Sequence, residues 1–177
     1  MWKVLKRADI PVHIIDILIS MYDGASSIIR TEDGDSDPFS IRTGVRQGDI
    51  ISAMIFNFVL DYIMFKSIID SDGVLAAENL VAYDLDYADD IAVLQPDELS
   101  MQHLLDRICL NAEKLGLKIK PSKTKAMVIH APDPILTVYN EDIEVVEIFT
   151  YQWRTNRIPK LVIDPIVDIF TFILSKN

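Results

Sequence analysis

The stretch YADDIAV, residues 87–93, sets two carboxylates, Asp89 and Asp90, side by side between apolar segments. Ionised carboxylates are rarely buried unless paired or bound to a cation, and two together repel unless a cation or a shared proton intervenes. Upstream, Val81, Tyr83, Leu85 and Tyr87 alternate with Ala82, Asp84 and Asp86, the period of a strand with two unlike faces. Residues 91–94 resume the apolar pattern directly after the pair. The economical reading is two strands joined by a tight turn, with Asp89 and Asp90 at its tip. There the carboxylates stay partly solvated and can converge on something outside the sheet.

Beyond this hairpin, residues 96–116 carry the clearest helical pattern. Met101, Leu104, Leu105, Ile108, Cys109, Ala112 and Leu115 form one stripe, and Gly116 ends it. Residues 11–22 open with proline, repeat Val12, Ile15, Ile19 and Tyr22 at helical spacing, and stop before Gly24. SSIIR and PFSIRTG flank TEDGDSD (31–37), whose Asp33-Gly34 predicts a hairpin. Ser52 is expected to cap a helix from about Ala53 to Ile69, closed by SDG at 71–73. LGLKIKPSKTKAMVI (115–129) reads as a short strand, a basic turn and a second strand. ILTVY (135–139) and VEIFTY (146–151) predict two more short strands, and IVDIFTFIL (166–174) fits helix or strand equally. The order implies an α+β fold, helices packed on one face of an antiparallel sheet.

Composition sets the outer limits. A chain of 177 residues, 50% of them hydrophobic, supports one domain with a real core and excludes a disordered chain. A single cysteine, Cys109, excludes an internal disulfide framework and fits a reducing compartment. The basic, amphipathic start lacks the apolar core of a signal peptide. The most apolar run, residues 50–65, carries Asn57 and Asp61 and falls short of the roughly 20 residues of a membrane span. A buried helix, no membrane and an intracellular setting, nuclear or cytoplasmic, are therefore expected. With a net charge of −10, any nucleic-acid binding must come from a local basic patch or a bound metal. Asp33, Asp35 and Asp37 mimic the start of a calcium loop, but Pro38 and Gly44 stand where glycine and glutamate belong. His13, His103 and His130 show no ligand spacing.

Four segments in order resemble the motifs of reverse transcriptases, above all those of non-LTR retrotransposons: TGVRQGDIISAMIFNFVLD (43–61), YADDIAVL (87–94), LGLKIKPSKTKAMVI (115–129) and FTY (149–151). The resemblance implies a polymerase-palm-like domain over residues 1–151 and a divergent tail over 152–177. It implies that Asp89 and Asp90, on a hairpin with Tyr87, bind catalytic Mg²⁺, with Mn²⁺ an alternative. Two such ions about 3.5–4 Å apart activate a primer hydroxyl and stabilise leaving pyrophosphate. It further implies that Arg46, Gln47 and Gly48 meet template base and incoming nucleotide, that Tyr87 belongs with these substrate- and template-binding residues, and that Lys123 or Lys125 lies near the triphosphate. RNA template, DNA primer and deoxynucleoside triphosphates are the implied partners. Three departures accompany it. Ala53 stands where the family favours proline, and Gln152-Trp153 follow FTY where leucine and glycine are usual. The family's first catalytic aspartate precedes a helix resembling residues 1–11, so the chain reads as part of a palm.

Overall fold

The computed structural model describes residues 1–32, 34–41, 44, 48–77, 80–87, 90–129, 132–146 and 169–175. The chain divides into two compact units, Met1–Tyr62 and Ile63–Asn177.

The first unit contains helices α1 (Trp2–Arg7) and α2 (Val12–Tyr22), strands β1 (Ser26–Ser27), β2 (Arg30–Thr31), β3 (Gly34–Asp35) and β4 (Phe39–Ser40), and most of α3 (Ile50–Ile68). The expected hairpin is present as two nested pairings, β2 with β3 and β1 with β4. Leu5, Ile15 and Ile55 form the buried centre, with Trp2, Tyr22 and Phe58 packed against it. Trp2 meets Tyr22 edge-on, ring centres 5.8 Å apart. The Arg7 guanidinium donates to the Tyr62 hydroxyl at 3.0 Å.

Helix α3 starts three residues before the expected position, and Ser52 is not its cap. Asp49 is: its carboxylate accepts the Ile51 N–H at 3.1 Å and the Ser52 hydroxyl at 3.3 Å. A carboxylate satisfies an orphan amide and also meets the positive end of the helix dipole, so it outcompetes a serine one turn later. Ser52, 2% exposed, bridges instead to the Tyr22 hydroxyl at 2.7 Å, tying α3 to α2. Asp49→Ala should therefore lower the stability of the chain by about 1 kcal/mol, read as a shift in thermal or urea unfolding. Ser52→Ala in the Asp49→Ala background should cost less than in the parent, because the two share one network. At 19 residues, α3 is the one helix among the described residues long and apolar enough to cross a membrane, so length alone does not exclude a span. Its buried positions Ile55, Val59, Ile63 and Met64 follow the spacing of a core stripe.

The second unit holds the last turns of α3, then β5 (Val74–Ala77), β6 (Leu80–Ala82), β7 (Asp84–Tyr87), β8 (Asp90–Gln95), α4 (Glu98–Glu113), β9 (Thr124–Ile129), β10 (Thr137–Val138), β11 (Glu141–Asp142), β12 (Glu144–Val145) and β13 (Ile169–Ser175). The main sheet has the order β12-β9-β13-β8-β7, antiparallel except for the β12–β9 pair. The single strand expected over residues 81–87 is two: residues 80–82 pair with β5 in a separate hairpin, and residues 84–87 pair with β8. Gly73 permits that hairpin. It sits at φ +62°, and a Cβ there would lie 2.7 Å from the Val81 and Tyr83 side chains.

Helix α4 follows the sequence expectation closely. The Asp97 carboxylate caps it by accepting the Ser100 N–H at 2.9 Å, which holds its pKa below the usual value. Met101, Leu104, Leu105, Ile108, Cys109 and Ala112 are buried. Burial pushes the Cys109 thiol up to about 11. On the opposite edge, Gln102 donates to the Thr137 carbonyl at 3.0 Å and accepts its N–H at 2.9 Å, fastening β10 to the helix. The strand expected just after Gly116 is absent; residues 117–120 are irregular and lead into a 3₁₀ turn, Pro121–Lys123. VEIFTY lies outside the described residues apart from Val146, whose N–H donates to the Ala126 carbonyl at 2.8 Å. Within IVDIFTFIL the described residues, from Ile169 on, are strand: β13 occupies the middle of the sheet.

Candidate metal and nucleotide site

Asp90 lies on a hairpin whose register is fixed by pairing. Asp84 opposes Val93, Asp86 opposes Ile91 and Tyr87 opposes Asp90, so Ala88 and Asp89 are the whole connection. Both lie outside the described residues, and Asp90 is the first residue of β8. The four residues that follow it, 91–94, are at most 5% exposed. Asp90 thus stands at the end of a strand anchored in the core. On its other side β8 is held by β13, whose last residue, Ser175, opposes Asp90.

Strand β9 runs in the same direction as β8, because both are antiparallel to β13. Leu174 of β13 opposes Ile91 on one side and Thr124 on the other. The starts of β8 and β9 therefore fall at one end of the sheet, two strand spacings or about 10 Å apart. Lys123, the last residue of the 3₁₀ turn, directly precedes β9 at that end. Lys125 sits two residues further in, opposite Ile173, and its ammonium pairs with the Glu144 carboxylate of β12.

A second clasp fixes the approach to the lysines. Tyr139 (φ +54°) and Asn140 (φ +63°) form the two-residue turn between β10 and β11, both left-handed as a type I′ turn requires. The Tyr139 hydroxyl accepts the Ile119 N–H at 3.3 Å and also contacts Cys109 on α4. Neither Tyr139 nor Glu144 was legible as part of this region, since the first needs the turn geometry and the second the parallel pairing of β12.

Of the segment resembling a template and nucleotide contact, Arg46 and Gln47 lie outside the described residues. Gly44 (φ +92°) and Gly48 (φ +87°) take left-handed conformations, and a Cβ at either would meet no atom within 4 Å, so backbone geometry alone calls for glycine there. The segment ends at Asp49, the cap of α3. It belongs to the first unit and the acidic hairpin to the second. Of the rival acidic cluster, Asp35 is engaged by the Arg30 guanidinium at 3.3 Å and Asp33 lies outside the described residues. Among the described residues no group of three or more acidic, histidine or cysteine side chains is placed to hold a metal.

A family model described as reverse transcriptase (RNA-dependent DNA polymerase) matches residues 2–156. The chain belongs to the reverse transcriptase family. It is similar to the Pol polyprotein of the type-2 retrotransposable element R2DM of Drosophila melanogaster, 26% identical over 142 residues, covering 73% of this chain and 13% of that protein. It is also similar to the Pol polyprotein of the type-1 element R2 of Nasonia vitripennis, 25% identical over 125 residues, covering 71% of this chain and 12% of the relative. The Pol polyprotein of the R2 element of Popillia japonica is 26% identical over 108 residues, covering 61% of this chain and 18% of that protein. These relatives identify a reverse transcriptase domain of the non-LTR type, and the chain spans about one-eighth of the first two. The match to the family ends before β13 begins.

Proposed function

We propose that residues 1–151 are part of the palm of an RNA-directed DNA polymerase, acting inside the cell on an RNA template, a DNA primer and deoxynucleoside triphosphates. The observation that carries this reading is the convergence of the acidic hairpin and the lysine segment at one end of a single sheet, in a chain of this family. Asp89 and Asp90 are the residues that would hold a divalent cation. Their oxygens are the hard donors Mg²⁺ prefers, and a hairpin end leaves its other positions to water and phosphate. Such a cation neutralises charge on phosphate oxygens and lowers the pKa of a bound hydroxyl.

The chain's own residues then have separate tasks. Tyr87, paired with Asp90, fixes the backbone of the hairpin. Lys123 faces the phosphates about two strands away, and Lys125 supports the same edge while tied to Glu144. Arg46, Gln47 and Gly48 contact template base and nucleotide. Because phosphoryl transfer relies on positioning and charge neutralisation, these roles need no covalent participation by the protein. A second reading, a chain that binds without catalysing, is favoured by one observation: β13, the strand beside Asp90, contains no carboxylate.

Binding to a primer–template duplex tests the interface. With a net charge of −10, binding should be weak and fall steeply with salt, since phosphate contacts supply it. Lys123→Glu should weaken binding and flatten the salt slope by about one. Lys125→Glu should weaken binding as well, and it also removes the ammonium's pairing with the Glu144 carboxylate. Tight binding insensitive to salt, or equal insensitivity to both substitutions, would contradict the assignment.

A further inference from the structure

Two lysines ahead of β9, Lys118 and Lys120, have no task in the site described above. Residues 117–120 alternate in burial: Leu117 and Ile119 are half-buried, whereas Lys118 and Lys120 are exposed. Lys120 has extended backbone, φ −103° and ψ 106°. Along such a chain, side chains two residues apart repeat on one side about 7 Å from each other. Successive phosphates of one nucleic-acid strand recur at a similar distance. The ion pairs among the described residues are Arg30 with Asp35 and Lys125 with Glu144, so neither Lys118 nor Lys120 is neutralised by a carboxylate. In a chain of net charge −10, two neighbouring unpaired ammonium groups make a local positive surface.

Surface lysines are common, and what sets these two apart is how firmly their backbone is held. The Lys120 carbonyl accepts the Thr124 hydroxyl at 2.9 Å and the Lys123 N–H at 3.0 Å. Between the two lysines, the Ile119 N–H donates to the Tyr139 hydroxyl at 3.3 Å, across 20 residues of sequence. Tyr139 takes φ +54° at the first position of its turn, where Asn, Asp or Gly is the ordinary choice. A bulky aromatic in that conformation is strained, and strain persists where the surrounding structure enforces it for a purpose.

We propose that Lys118 and Lys120 grip two successive phosphates of one strand of the primer–template duplex, with Tyr139 the positioning residue that holds them in register. This rests on the reading that the chain handles nucleic acid. It extends the basic surface N-terminally from Lys123, outside the acidic hairpin. The two ammonium groups act as point charges that fix the strand's position without reading its sequence, and their binding releases counterions.

The test titrates the full chain with a fluorescently labelled primer–template duplex over a range of salt concentrations. Lys118→Gln and Lys120→Gln should each weaken binding and flatten the salt slope by about one, and by about two together. Lys66→Gln, the same loss of charge at an exposed position on α3, should leave the slope unchanged. Tyr139→Phe keeps every charge and the ring but lacks the hydroxyl. It should weaken binding in the parent and change nothing further in Lys118→Gln/Lys120→Gln, a coupling that a general loss of stability would not produce. A slope lowered by Lys123→Glu but not by Lys118→Gln/Lys120→Gln would overturn this inference and leave the proposed function standing. Insensitivity to all three would overturn both. Equal flattening by Lys66→Gln would overturn it by showing net charge alone at work, and an additive effect of Tyr139→Phe would overturn the role of Tyr139. Competition by free deoxynucleoside triphosphate as strong as by unlabelled duplex, at equal phosphate, would put a nucleotide there in place of a strand.

Discussion

Primer extension by the purified 177-residue chain, with Mg²⁺ and all four deoxynucleoside triphosphates, is expected to stay at background. Two metal ions need ligands that converge from more than one strand, and the hairpin contributes only Asp89 and Asp90. The neighbouring strand on one side, β13, reads IFTFILS and offers no carboxylate. On the other side β7 carries Asp84 and Asp86, but their rungs are with Val93 and Ile91, inward from the hairpin end. Removing a single preorganised electrostatic contact typically costs about 10²–10³ in rate, and here a whole ligand set and its alignment are at stake. The chain spans 12–13% of the length of its first two R2 relatives. Asp89→Asn is the control. Extension by the parent that disappears in the control would overturn this expectation and show that the ligands present suffice for catalysis.

The parts of this architecture that were legible in the sequence are those fixed by local chemistry. The α4 stripe could be read because burial of Met101, Leu104, Leu105, Ile108, Cys109 and Ala112 follows helical periodicity with no competing pattern. The hairpin could be read because the alternation before the acidic pair and the apolar run after it each have the character of a strand. What could not be read depends on partners distant in sequence. Alternation over residues 81–87 is unbroken, yet the strand changes partner at Tyr83, where its carbonyl still accepts the Leu94 N–H at 2.9 Å. Periodicity reports a face and says nothing of a neighbour. Ser52 and Asp49 are both good caps, and only the helix start decides between them. The apolar run IFTFIL has no period that separates a buried strand from a buried helix, so its central position was invisible. Within the candidate site, residue types were readable, whereas the pairing of Lys125 with Glu144 and the clasp from Tyr139 to Ile119 depend on tertiary register.

If the Asp89–Asp90 hairpin is where this chain takes a divalent cation, its two carboxylates must be required for binding. Replacing both by asparagine removes the two charges while keeping shape and hydrogen-bonding capacity, so it should abolish binding at this site without unfolding the chain. The rival location, the acidic run at residues 33–37, would be untouched by that change. Paramagnetic Mn²⁺ separates the two directly, because it broadens only the NMR signals of nuclei close to it. Selective broadening of amide signals around residues 86–91 is expected, absent from Asp89→Asn/Asp90→Asn under the same conditions. Broadening centred on residues 33–37, or broadening near 86–91 that survives the double substitution, would refute the assignment of the cation to this hairpin.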